Sequence, residues 1–75
     1  MGTTTFSGPV VSNNGFTSTS IAFDDLPTAS ANTGRIIFCN DALKASELAG
    51  NGTGNLVFSD GSNWIRVDTG ATAGK

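Results

Sequence analysis

The chain has 75 residues, six acidic and four basic side chains, a net charge of −2 and no histidine. That length allows one small domain, which buries only about 60–65% of its unfolded surface and is marginal alone. A single cysteine, Cys39, excludes an intrachain disulfide, and one thiol without histidine makes no zinc site. Of the usual supports for a small fold, oligomerisation or docking remains.

Only 13% of the residues are charged, and nearly half of the chain is Gly, Ser, Thr or Asn. This composition suits β-rich assembly proteins, and it also suits flexible linkers. Four basic residues make no phosphate-binding face, so nucleic acid is not expected as a partner. No apolar run approaches the roughly 18 residues that span a bilayer, so no membrane partner is expected. The opening residues lack a basic and an apolar signal region. Synthesis in a cytoplasm follows as the expectation, with Cys39 a reduced, buried, small apolar residue.

The first 34 residues read as an extended arm and linker. Thr4-Thr5-Phe6-Ser7 is extended, and Gly8-Pro9 interrupts it because Pro9 has no N–H to give a ladder. Val10-Val11 follows, then Ser12-Asn13-Asn14-Gly15, where Asn14-Gly15 suits a type I′ turn. Phe16, Ile21 and Phe23 stand among hydroxyl residues. Phe6, Pro9, Val10, Val11, Phe16, Ile21 and Phe23 are the candidate arm anchors. They either fold back on the chain's own sheet or seat in grooves of a neighbouring subunit. Asp24-Asp25 before Leu26-Pro27 reads as a turn, and 28–34 as a connector.

Residues 35–69 read as a small β domain. Arg35-Ile36-Ile37-Phe38-Cys39 is short, apolar and β-branched, the pattern of a central strand. Asn40-Asp41 leads into 42–49, where Leu43 and Leu48 are five apart. That spacing leaves a helical turn and an irregular loop both open. Gly50, Gly52 and Gly54 then end the segment. Leu56-Val57-Phe58 and Trp64-Ile65-Arg66-Val67 flank Asp60-Gly61, a hairpin signal, and 70–75 reads as a flexible tail. The expected fold is all-β: three antiparallel strands near 35–39, 55–59 and 64–68, with an extended N-terminal arm. Strand alternation places Leu56 and Phe58 opposite Val57, and Trp64 and Arg66 opposite Ile65 and Val67. Both faces are therefore apolar, and one must pack on the arm, a copy or another protein. Ile36, Phe38, Leu56, Phe58, Trp64, Ile65 and Val67 are the candidate core and oligomer-interface residues.

No catalytic constellation emerges. Serine and cysteine nucleophile systems built on histidine are excluded. Asp60, Ser62 and Asn63 lack the alternating ligands and terminal Glu of a calcium loop, so an Asx turn is expected. Asp24-Asp25 has no nearby base, which makes a surface turn the reading. Trp64 could stack on a sugar, but a Trp after a hairpin turn more often packs across the strand pair, here near Phe58. No enzyme activity and no cofactor are expected.

Two stretches resemble small structural proteins of tailed bacteriophages. One is Thr3-Thr4-Thr5-Phe6-Ser7-Gly8-Pro9-Val10-Val11-Ser12-Asn13-Asn14-Gly15-Phe16, similar to the opening of such proteins. The other is Val57-Phe58-Ser59-Asp60-Gly61-Ser62-Asn63-Trp64-Ile65-Arg66-Val67-Asp68, similar to the S-D-G-x-N-W hairpin of phage head, fibre and tail proteins. Arg35-Ile36-Ile37-Phe38-Cys39-Asn40-Asp41 resembles the strand that precedes that hairpin. The resemblance implies a virion component, either a capsid decoration (cement) protein bound across major capsid subunits or a trimeric fibre module with Trp64 on a glycan. A homo-oligomer, with a trimer favoured, is the expected state.

Overall fold

A computed structural model describes Thr5 and residues 7–75, so the anchor expected at Phe6 lies outside the described residues. Four strands form one mixed sheet in the order β1 (Ser20–Ile21), β2 (Ile36–Cys39), β3 (Asn55–Ser59) and β4 (Trp64–Arg66). β2, β3 and β4 are antiparallel neighbours near the three expected positions. The fourth strand was not anticipated. β1 runs parallel to β2, pairing Ser20 with Phe38 and Ile21 with Cys39. Among the described residues the structure is all-β apart from two 3₁₀ turns, Phe23–Asp25 and Ala29–Ala31.

Alternation sorts the strands into two faces, as the sequence indicated. Ile37, Cys39, Val57 and Trp64 point to one side and are buried. Residues 21–31 cover that side, with Ile21, Phe23, Leu26 and Ala29 packed on the buried cluster. The connector read at 28–34 is therefore partly a lid over the core. Polar latches fasten it. Trp64 Nε1 donates to the Pro27 carbonyl at 2.8 Å. Ser59 Oγ, fully buried, donates to the Ala29 carbonyl at 2.6 Å. A buried donor left without a partner costs about 1–3 kcal/mol, so these bonds fix where the lid sits.

Local chemistry sets the loop, the tail and the first turn. The 42–49 stretch is an irregular loop in which Ser46 takes a positive φ of 74°. Glu47 holds it by accepting from the Lys44 N–H at 2.6 Å, a local bond that competes with helix. The expected flexible tail is docked. Ala73 is buried and its N–H donates to the Trp64 carbonyl at 2.8 Å, so the tail occupies the outer edge of β4. The turn at 12–15 is centred on Asn13 and Asn14, with Gly15 after them at φ 78° and Ser12 Oγ donating to the Gly15 carbonyl. Gly at that fourth place is the habit of a type I turn rather than the expected I′.

The hairpin loop is four residues long. Asp60 Oδ1 accepts from the Ser62 and Asn63 N–H groups at 2.9 and 2.8 Å, the expected Asx geometry. Those two donors hold the Asp60 carboxyl below its usual range. Glu47 is lowered by the Thr53 hydroxyl and the Lys44 N–H. Asp68 is held well below the carboxylate range by the Arg66 guanidinium, which it meets through two 3.0 Å bonds.

All three carboxylates have folded-state pKa values depressed below their unfolded ones. Their stabilising contribution is thus present above about pH 4.5 and is lost as pH falls through the folded values. Urea midpoints are expected to stay flat between about pH 5 and 8 and to fall steadily below about pH 4. A midpoint unchanged down to about pH 2.5 would show that these bonds do not act on folding.

Candidate interaction surface

Among the described residues two apolar surfaces are uncovered, and each follows from its segment's chemistry. The first is the arm. Residues 1–23 carry no charged side chain, and Pro9 with its neighbours makes no strand. Val10 and Val11 are 52% and 83% exposed, Phe16 is 75% exposed, and Pro9 is exposed as well. Of the expected anchors, Ile21 and Phe23 belong elsewhere: both pack on the chain's own core. Ile21 sits in β1, and the Phe23 N–H donates to Asp41 Oδ1 at 2.8 Å. The exposed stretch 7–17 therefore ends shortly before β1, at the edge of the sheet.

The second surface is the face of the sheet opposite the lid. Ile36, Phe58 and Ile65 form one row across the strands through the pairs Ile36↔Phe58 and Phe58↔Ile65. Phe38 and Leu56 pair in the next row, and the Val67 N–H donates to the Leu56 carbonyl at 3.1 Å, which extends it. Ile36, Leu56 and Val67 are exposed, while Phe38, Phe58 and Ile65 are half-buried. Phe38 is recessed because its ring lies over Gly54, where a Cβ would come within 2.5 Å of Cζ. These six interface candidates therefore share one face. Trp64, the seventh, is on the other side. It pairs with Ser59 and not Phe58, and it is only 8% exposed.

The basic side chains bond locally. Arg35 donates to Asn32, Lys44 to Thr53, Arg66 to Asp68 and Lys75 to Asp24. Asp24 and Asp25 lie in the exposed first 3₁₀ turn. Cys39 is free and fully buried, its thiol pKa pushed up chiefly by desolvation, with Sγ 3.6 Å from Asp41 Oδ1. Among the described residues no cavity opens, and no helix is long and apolar enough to cross a membrane. What the arrangement offers chemically is contact area.

Comparison with protein-family models, with curated proteins and with solved structures finds no match to this chain.

Proposed function

We propose that the chain is a non-enzymatic virion structural protein of a tailed phage, made in the host cytoplasm, that decorates or cements the capsid. The observation that carries the reading is the pair of uncovered apolar surfaces on a protomer of this size, above all the uncharged arm with Val10, Val11 and Phe16 in solvent. The resemblance of the arm and hairpin to phage structural proteins supports it. In this reading the arm runs over adjacent major capsid subunits and plugs apolar pockets. Strand addition at the open edge of β1 is a second mode of attachment. The sheet domain stands at a symmetry position with other copies. Many weak contacts then stabilise a shell by multivalency. Only four basic residues, two of them in ion pairs, favour a protein partner over nucleic acid.

The fibre alternative, with Trp64 stacking on a glycan, has less support. The indole lies under the lid with its N–H committed to Pro27.

Quantitative mass spectrometry of purified particles tests the function. The expected stoichiometry is roughly one copy per one to three capsid subunits, the density that multivalent cementing requires. A handful of copies per particle would transfer the protein to a fibre or tail, and absence would end the virion reading.

The arm has its own test. Val11→Ser with Phe16→Ser is expected to reduce incorporation about tenfold or more, because a few apolar anchors dominate such interfaces. Both side chains are exposed, so the urea midpoint should not move. Undiminished incorporation would show that these residues are not the anchor.

A further inference from the structure

We propose that the uncovered sheet face is a self-association surface, on which two copies of this chain stack face to face about a two-fold axis running across the strands. The relief of the face selects this arrangement. Each strand carries one exposed and one half-buried apolar side chain: Ile36 and Phe38 on β2, Leu56 and Phe58 on β3, and Val67 and Ile65 at β4. A two-fold axis between the two rows, perpendicular to the strands, lays each strand over its own copy in reverse. Ile36 then meets the partner's Phe38, Leu56 the partner's Phe58 and Val67 the partner's Ile65. Every exposed side chain lands on a recessed one, which is the self-complementarity an isologous contact requires. Stacked sheets keep their strands within about 30° of one another at a separation of about 10 Å, so the pairing survives ordinary sheet twist.

Charge points the same way. None of the six positions of the face is charged; Ser20 borders it beside Phe38, Thr72 beside Ile65, and Asp60 stands in the hairpin loop just past β3. Around a two-fold axis a charge would sit close to its own counterpart and repel it. A partner recognised by charge would find nothing to read here.

Area sets the strength. Its three exposed and three half-buried apolar side chains together offer about 400–500 Å² of apolar surface at most. Two copies bury about 900 Å² in total, short of the roughly 1,200 Å² at which stable interfaces begin. The pair is therefore weak in solution and forms when copies are concentrated. This inference stands apart from the virion reading, since it concerns the chain alone.

Sedimentation equilibrium of the full chain, from about 10 µM to about 1 mM, tests it over the range expected for a weak interface. The expected result is a reversible monomer–dimer equilibrium. Leu56→Asp should weaken it at least tenfold without changing the fluorescence of Trp64, which lies on the opposite side of the sheet. Should Leu56→Asp unfold the chain, Val67→Ser at the sheet margin takes its place, with an expected weakening of about fivefold. Val11→Ser with Phe16→Ser should leave association unchanged. A monomer throughout the range, a trimer, a folded face variant that dimerises like the parent, or loss of dimer in the arm variant would each overturn the stacked pair. The last outcome would assign the face to the arm. None of these bears on the copy number in particles, which is counted separately.

Discussion

Trp64→Ala is expected to remove the cooperative folding transition. The side chain is 8% exposed, belongs to the buried cluster with Ile37, Cys39, Val57, Ala42 and Ala73, and lies under the lid. Truncating a buried Trp costs about 3–5 kcal/mol through lost transfer energy and the cavity left behind. The Pro27 carbonyl also loses its donor. A chain of this length is expected to hold only about 4–11 kcal/mol in total. The variant therefore loses most of its stability and shows a broad, non-cooperative thermal melt by circular dichroism. Trp64→Phe separates the two causes. It keeps most of the apolar area but removes the N–H and part of the ring volume, so a cost smaller than that of the alanine variant and a preserved transition are expected. An alanine variant that melts within a few degrees of the parent would show that Trp64 is not a core residue. The indole would then be free for a ligand.

What the sequence made legible depended on alternation. Leu56, Val57 and Phe58, then Trp64, Ile65, Arg66 and Val67, switch sides at every residue, so their faces and the unsatisfied apolar face could be read without coordinates. Ile36-Ile37-Phe38-Cys39 was readable as a strand for a different reason, as a short, apolar, β-branched run. The parallel β1 was not, because two residues set no period and its partner lies across the 3₁₀ segments. The lid was hidden for a different reason. Leu26, Pro27 and Ala29 have no common periodicity, and their bonds reach Ser59 and Trp64, some thirty or more residues away. Such contacts leave no local mark, so small and polar residues looked like a linker. Ala73 and the docked tail escaped similarly. Ile21 and Phe23 show the limit for sites: an isolated apolar residue reads alike whether it anchors outward or packs inward. Only the closure of the sheet by β1 decides it.

Gly52→Ala is the other substitution with a large expected effect, and the reason is the close approach of two backbones. A Cβ at Gly52 would lie 2.1 Å from the Asp41 carbonyl oxygen and 2.7 Å from the Ala42 carbonyl carbon and oxygen. No side chain can turn aside to make room. The 41–42 backbone is held on several sides: Asp41 Oδ1 accepts from Phe23, Ala42 is in the core, and the Gly54 N–H donates to the Ala42 carbonyl at 3.0 Å. Making room for the methyl would separate residues 52–54 from 41–42 and break that bond. The expected cost is about 2–4 kcal/mol, read from the urea midpoint, with faster hydrogen exchange at the Gly54 amide. Gly50→Ala is the control. Gly50 has a positive φ of 86° but open space around it, so only the left-handed conformation is penalised, at about 1 kcal/mol. Equal, small losses at both positions would show that the two backbones can separate freely. A large loss at Gly52 alone would show that the contact fixes the entry into β3. Leu56, at the centre of the uncovered face, is placed by that entry, so the same contact sets the relief on which self-association depends.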